Sequence, residues 1–429
     1  MSSTTAATQA RVAAGLRKRY RAERRFRVYG LLAVLIGVAF VFFLFGTILW
    51  QGTGAFRQTQ VTLDIRYDEA ALGLDGARTP EALATANYAA LVRASLRERF
   101  PEAQGREAGR ALTGLVSGSA AHILQRRVEA DPSIIGSQQR ITFLASADVD
   151  QLLKGNMDRS LPEAQRPLTD QQLGWVDALG KDGDLRLAFN RGFLTGGDSR
   201  EPEQAGVLGA LVGSMYTLLV TLVLSFPIGV AAAIYLEEFA PRNRWTDLIE
   251  VNINNLAAVP SIVFGLLGLA LFLNFFGMPR SAPLVGGFVL TLLTLPTIII
   301  ASRASIKAVP PSIREAALGM GASRLQMVTD HVLPLAMPGV LTGTIIGMAR
   351  ALGETAPLLM IGMVAFIVDV PRGFTDPATV LPVQIYLWAD SPERAFVERT
   401  SAAIIVLLLF LMIVNITAVL LRRRFERRW

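Results

Sequence analysis

The feature that most constrains the fold is an uncharged, strongly apolar stretch of 23 residues, 28–50. As a helix rising ~1.5 Å per residue, it is long enough to cross a hydrocarbon core of ~30 Å. It is too long for the apolar region of a signal peptide and lacks a convincing cleavage site, so it predicts a retained membrane span. Tyr29 and Trp50 lie at its ends, as interfacial aromatic residues do.

Further apolar stretches predict five more spans, and hydrophobic residues make up 52% of the chain. Several predicted spans contain prolines and asparagines, a pattern tolerated where backbone packs on protein or lines a watery cavity. A pore-forming all-α bundle is therefore favoured over a passive anchor. The five spans are predicted at residues 207–236, 248–276, 283–304, 338–368 and 401–421, and the breakers include Pro227, Asn252, Pro260, Pro296 and Pro357.

Basic residues are concentrated at the two tips of the chain. Residues 1–27 carry eight basic side chains against Glu23, and residues 422–429 carry five against Glu426, so the tips contribute +7 and +4. The net charge of the whole chain is only +7. Six spans place both tips on one side, and the positive-inside rule predicts that this side is the cytoplasm of a bacterial inner membrane. We therefore expect membrane lipid, and not nucleic acid, beside the basic tips.

Residues 51–205 predict a soluble domain inserted on the extracytoplasmic side. They contain 21 acidic and 18 basic residues and no apolar stretch of about 20 residues. Segments 61–67 and 140–145 have the pattern of strands, whereas 80–100 and 106–129 carry apolar residues at helical spacing. These patterns predict an α+β domain, whose function is not evident from the sequence. The predicted order is a basic tip (1–27), a span (28–50), the inserted domain (51–205), a five-span core (206–421) and a basic tip (422–429).

The chain offers little for enzyme chemistry. It has no cysteine, and its two histidines, His122 and His331, lie far apart in the sequence. No ATP-binding loop is found, since residues 174–182 have the wrong glycine spacing and an aspartate where Ser or Thr should hold Mg²⁺. We predict a non-enzymatic protein without metal or cofactor, whose energy source is a separate subunit.

A motif lies in the predicted cytoplasmic loop, residues 305–338, and consists of Glu315, Ala316, Ala317, Gly321, Leu333 and Pro334. Its spacing resembles the EAA loop of ABC-transporter permeases that work with a substrate-binding protein, and the resemblance implies that the loop enters a cleft of the ATPase, with Glu315 as the polar contact. A short helix over 313–320 ended by Gly321 and a second over 323–332 stopped by Pro334 are expected. An amphipathic connector on the lipid surface is the alternative, which the small residues disfavour. His331 stands at a motif position that is usually aliphatic.

Arg350 and Glu354 interrupt an otherwise uncharged run over residues 333–368. Four residues apart, they share a helix face. An arginine at membrane depth costs ~3 kcal/mol and needs a partner, a cavity or a substrate. One interpretation is a structural salt bridge. The other interpretation is that Arg350 offers its forked N–H donors to a tetrahedral oxyanion, while Glu354 orients the arginine and lowers its affinity for the oxyanion.

Residues 349–359 (ARALGETAPLL) and 302–317 (SRASIKAVPPSIREAA) are similar to phosphate-uptake permeases of the PstA type. The resemblance covers residues 206–429; the insertion 51–205 departs from it, since the usual first outside loop is short. It implies phosphate as substrate, with Arg350, Glu354 and, more weakly, Arg303 on its path. The implied partners are a paralogous permease, two ATP-binding subunits and an extracytoplasmic phosphate-binding protein. Two alternatives are a permease for sulfate or molybdate and a membrane sensor acting through residues 51–205.

Overall fold

A computed structural model describes residues 2–74, 76 and 78–425, and the chain divides into two compact units, residues 1–51 and 52–429. The first unit is one helix, α1 (Ser2–Gly52), whose apolar segment has a mean hydropathy of 2.8. This helix contains the predicted span 28–50. The side chains of residues 2–14, 17, 18 and 425 and all of residues 426–429 lie outside the described part, and with them much of the charge predicted for the tips.

The inserted domain contains a three-stranded antiparallel sheet in the order β2-β1-β3. Strands β1 (Arg57–Arg66) and β2 (Gln138–Leu144) correspond to the two expected strands, and β3 (Leu185–Phe189) is an additional edge strand. Val61 lies opposite both Phe143 and Leu185. Alternate side chains of β1 are buried, as the two-residue period of a strand requires.

Eight helices pack around this sheet and complete the expected α+β domain. Each of the two predicted helical segments is split in the structure, because Asn87 caps a new helix with its side chain and Gly114 ends another. The core contains Leu96, Leu124 and Trp175. The helices are α2 (Glu69–Leu72), α3 (Pro80–Thr85), α4 (Tyr88–Arg99), α5 (Arg106–Thr113), α6 (Ser119–Ala130), α7 (Ala147–Leu153), α8 (Asp170–Lys181) and α9 (Arg191–Thr195).

Helices also form most of the described residues after the inserted domain. In the described part, five helices are long and apolar enough to cross a membrane, or six when one bent pair counts as a span, which agrees with six predicted spans. The helices are α10 (Leu208–Ile234), α11 (Arg244–Ala257), α12 (Ser261–Gly268), α13 (Pro283–Lys307), α14 (Pro311–Gly319), α15 (Arg324–Gln326), α16 (Leu333–Gly353), α17 (Ala356–Met360), α18 (Leu381–Ala389) and α19 (Ala395–Phe425). Three π-helical turns, Tyr235–Phe239, Leu269–Phe275 and Met327–Val332, adjoin α10, α12 and α16.

Two predicted spans differ from straight helices. The span predicted at 248–276 is bent by 101° between α11 and α12, where Pro260 precedes the second helix. The span predicted at 338–368 ends as a helix at Gly353, and the short α17 follows after a break. A proline without an N–H and a glycine without a side chain each weaken a helix at these points.

Small residues allow α16 to pack closely against α13. An ideal Cβ on Gly339 would lie 2.3 Å from Ser305 Oγ, and one on Gly343 would lie 2.2 Å from Ala301 Cβ. Gly347, one turn further, would place its Cβ 3.6 Å from Ile298. Glycines four residues apart form the small-residue face that membrane helices use for close approach.

Candidate functional site

The predicted coupling loop forms α14, a turn and α15. Gly321 has φ 91° and follows the end of α14, as the sequence predicts. Glu315 and Ala316 are exposed, whereas Ala317 is buried in a cluster that contains Val328. One face of α14 is therefore anchored and the face with Glu315 is free to meet another molecule.

The second helix of the loop continues into the next span. Ser323 begins it with a capping box, and the π-helical turn Met327–Val332 leads directly into α16. The prediction that Pro334 stops this helix is wrong. The N–H of Leu333 bonds the carbonyl of Val328, five residues back. Pro334 then stands in the first turn of a new α-helical register, where its missing N–H costs little.

Large apolar side chains of the same loop are exposed. Met320 is 86% exposed and Leu325 63%, and Leu318 on α14 is also exposed. Neighbouring exposed apolar side chains on a folded surface commonly mark a contact with another protein or a membrane. The loop thus combines an exposed carboxylate, Glu315, with an apolar surface.

Arg314 fixes α14 to the rest of the core. Its guanidinium donates to Glu238 Oε1 at 2.7 and 3.0 Å, and to the carbonyls of Ile306 at 2.9 Å and Val309 at 2.6 Å. Glu238 lies in the π-helical turn after α10, and the two carbonyls lie in the last turn of α13 and just after it. Arg314 therefore connects the coupling loop to two spans at once, through charge-assisted hydrogen bonds.

Arg303, a predicted path residue, lies near the end of α13 that leads into the coupling loop. Its Nη2 is 2.6 Å from Glu250 Oε1 on α11 and 3.4 Å from Glu237 Oε2 after α10. Two carboxylates thus share one guanidinium. This neutralises the charge of Arg303 within the chain and joins α10, α11 and α13.

Arg350 and Glu354, also predicted path residues, lie at the end of α16. Arg350 Nε is 3.4 Å from Glu354 Oε1, and the arginine side chain remains 45% exposed. This contact is longer than a strong charge-assisted hydrogen bond. Among the described residues, Arg350 has no other ion-pair partner, so much of its charge is available to a neighbour outside the chain.

The glycine contacts indicate the depth of Arg350. Gly339, Gly343 and Gly347 of α16 lie against Ser305, Ala301 and Ile298, in antiparallel order. One further turn brings Arg350 level with about residue 294, near the middle of α13. At ~1.5 Å per residue this is about 13 Å along the helix from Arg303. The two predicted path arginines therefore occupy different depths.

The backbone is irregular beside Arg350. Glu354 follows α16 with extended backbone (ψ 119°), and α17 begins at Ala356. Pro357 of α17 packs tightly on α12, because an ideal Cβ on Gly265 would lie 2.6 Å from Pro357 Cα. Broken helices at membrane depth are found where backbone is buried in protein or lines a watery cavity, and transporters use such breaks at their binding sites.

A second group of charges, which the sequence analysis did not identify, joins the inserted domain to α19. Lys154 Nζ lies 2.6 Å from Asp150 Oδ2 and 2.7 Å from Glu398 Oε1. Gln151 and Asn156 donate further hydrogen bonds to Glu398. The ion pairs are almost fully buried, and such charges require partners.

Two more titratable residues lie at this junction. Arg399 is 2% exposed, donates to the carbonyl of Ala55 at 3.1 Å and stacks 5.6 Å from the Phe193 ring. Burial raises the pKa of Glu203 from 4.5 to about 7, and the nearby charge of Glu201 adds to the rise. The sequence signal was the charged SPERAFVERT stretch, residues 391–400, next to the last apolar run, although its partners are distant in the chain.

Comparisons with known proteins assign parts of the chain to described families. Residues 225–429 match the family described as binding-protein-dependent transport system inner membrane component, and residues 13–163 match a domain of unknown function, DUF3333. The probable ABC transporter permease protein YqgI of Bacillus subtilis is 35% identical over 42% of this chain and 60% of that protein. The phosphate transport system permease protein PstA 1 of Mycobacterium tuberculosis is 32% identical over 53% of this chain and 74% of that protein.

A solved structure of the methionine ABC transporter MetNI, in an inward-facing conformation, is 19% identical to this chain in sequence, with a TM-score of 0.41. The match covers 51% of this chain and 97% of the MetNI chain. The curated relatives are permeases, which are not themselves enzymes. The similarity to these permeases and the presence of apolar helices together identify the chain as a multi-pass inner membrane protein. The chain belongs to the family of PstA-type permeases, the inner membrane components of binding-protein-dependent transport systems.

Proposed function

We propose that this chain is a transmembrane permease subunit of an ATP-binding-cassette importer for inorganic phosphate. It pairs with a paralogous permease, is driven by two separate ATP-binding subunits and receives phosphate from an extracytoplasmic binding protein. The PstA relatives support the cargo. The chain spans about three fifths of the first relative and about three quarters of the PstA proteins, so its own cargo and partners are part of the proposal.

The observation that carries the proposal is the exposed guanidinium of Arg350 beside a helix break at membrane depth. An arginine cannot face lipid tails there without a large penalty, so it requires a polar environment outside this chain. A water-filled path between two permeases supplies that environment. The forked donors of arginine suit a tetrahedral oxyanion, and Glu354, 3.4 Å away, competes for them and limits the affinity.

The coupling loop is the proposed ATPase contact. Glu315 and Ala316 are exposed at its surface together with Met320 and Leu325. These side chains offer one charge and a large apolar area to a protein cleft. Arg314 lies behind this surface and ties it to α10 and α13, so movement of the loop reaches the spans.

Arg303 is a weaker candidate for the path, because Glu237 and Glu250 already share its charge.

Both termini are proposed to lie in the cytoplasm. Contacts of Gly287 with Thr217 and of Gly229 with Ile298 show that α13 runs parallel to α10, so the coupling loop lies at the end of α13 remote from the inserted domain. This supports placing the domain outside and the loop inside.

ATP-dependent phosphate uptake by the four-component complex in proteoliposomes tests the proposal. Arg350→Ala is expected to reduce uptake more than tenfold, whereas Arg242→Ala, an exposed arginine in the connection after α10, should leave uptake unchanged. Undiminished uptake by Arg350→Ala would remove this residue from the path. Competition by sulfate or molybdate as effective as that by phosphate would assign another oxyanion as cargo.

A further inference from the structure

The inserted domain exposes large apolar side chains mainly in one place. In the described part of residues 53–205, four such side chains are exposed, and three of them lie within eight residues: Leu187, Phe189 and Leu194. Phe189 is 59% exposed. We name these three residues the edge patch. Its concentration sets it apart from the scattered exposed apolar residues that every soluble surface carries.

The edge patch arises from the position of β3. In the antiparallel pair, Leu187 lies opposite Thr59 and Phe189 lies opposite Arg57. Residues directly opposite one another point to the same face, and Thr59 is fully buried on that face. The packed face of the sheet therefore continues onto β3, but there the rest of the domain leaves Leu187 and Phe189 exposed. The outer edge of β3 is also unpaired, because β3 is a terminal strand of the sheet.

Hydrogen bonds place the edge patch at the heads of two spans. Asn190, next to Phe189, bonds the carbonyls of Ala55 at 3.0 Å and Phe56 at 2.8 Å. The neighbouring Gly52 packs against Ala402 in α19. On the other side, the carbonyl of Gly196, just after α9, accepts from the N–H of Leu208, the first residue of α10. The patch thus lies beside the N-terminal ends of α10 and α19, both of which are long and apolar enough to cross a membrane.

Basic residues accompany the edge patch. Arg57, opposite Phe189, and Arg191, which begins α9, are both exposed. Neither forms an ion pair among the described residues. Apolar and aromatic side chains beside unpaired arginines are typical of segments that lie in the membrane interface, where arginine meets lipid phosphate.

We infer that the edge patch lies in the headgroup region of the outer leaflet and that its partner is the phospholipid bilayer. Phe189 and Leu194 then reach the upper acyl chains, and Arg57 and Arg191 contact lipid phosphates. The unpaired edge of β3 limits the depth, because its free N–H and C=O groups must remain hydrated. The inserted domain is thereby held against the membrane surface at a second point, besides its buried contact with α19.

Spin labelling of the full chain tests this inference, and the natural absence of cysteine makes single-site labelling direct. Phe189→Cys carries a nitroxide in nanodiscs of phosphatidylcholine and phosphatidylglycerol, and its accessibility to oxygen is compared with that to a water-soluble nickel chelate. Gln138→Cys is the control, because Gln138 pairs with Arg66 at the far end of β1, ~30 Å from Arg57. Leu194→Cys is a second label should Phe189→Cys not fold.

The expected result is an oxygen-to-nickel accessibility ratio several-fold higher at residue 189 than at residue 138. Equal, water-like ratios at both positions would overturn the inference. A second outcome would also overturn it: the label at residue 189 is accessible to nickel in the lone chain but shielded from both reagents once the partner permease is added. The patch would then be a protein interface.

Discussion

Lys154 of the inserted domain and Glu398 of α19 form a buried ion pair, with 2.7 Å between Nζ and Oε1 and side chains that are 6% and 5% exposed. They lie 244 residues apart in the sequence. A second carboxylate, Asp150, shares the same ammonium at 2.6 Å. The inserted domain is therefore joined to the last span by charge as well as by apolar packing.

Lys154→Met should destabilise the protein by about 3–5 kcal/mol, because it leaves Asp150 and Glu398 buried without their cation. Thermal unfolding in detergent micelles measures the change. Arg159→Met is the matched control, since its ion pair with Asp177 is half exposed and should contribute less than about 1 kcal/mol. Equal shifts for the two variants would contradict the prediction.

Glu203 should make stability depend on pH. Burial raises its pKa from 4.5 to about 7, so the folded protein holds a proton that the unfolded chain has released. Stability should therefore fall as the pH rises between these two pKa values and level off above about 7. The loss is on the order of 3 kcal/mol. Glu203→Gln should remove this slope in a pH series of unfolding curves; an unchanged slope would assign it to other groups.

Arg314→Ala should separate ATP hydrolysis from transport in the assembled complex. The variant keeps the exposed face of α14 but loses the hydrogen bonds to Glu238, Ile306 and Val309. We expect uptake to fall several-fold while hydrolysis persists. Arg314→Lys should be intermediate, because an ammonium cannot reproduce the two-pronged contact. A proportional loss of both activities would instead indicate a failure of assembly.

Two substitutions on one helix should differ in their effect on packing. Gly343→Ala places a methyl group 2.2 Å from Ala301 Cβ, whereas Gly347→Ala meets its nearest atom at 3.6 Å. The first should cost about 1–3 kcal/mol through overpacking. The second should be neutral or slightly stabilising, because alanine favours helix more than glycine does. The measurement compares the unfolding midpoints of the two variants in the same detergent. An equal loss of stability in both would argue against this α13–α16 contact.

The sequence predicted much of the secondary structure where the signal is local. Apolar runs located the spans, and Gly321 has the positive φ expected at the end of α14. The bend before α12 was missed, although Pro260 was recognised as a helix breaker. A proline disfavours helix locally, but whether the chain then bends by 101° depends on the helices packed around it. Strand β3 was missed because it is only five residues long and lies at an edge.

The sequence by itself determined that this chain crosses a membrane several times, carries a loop that resembles the EAA motif and keeps Arg350 with Glu354 in an apolar run. Only the tertiary structure decided which charges are neutralised: Arg303 by Glu250, Arg314 by Glu238 and Lys154 by Glu398. Hydropathy is a property of consecutive residues and can be read from a short stretch of sequence. Ion pairs and hydrogen bonds act over about 3 Å, and here they join residues 53 to 244 positions apart, so their partners appear only when the helices have packed.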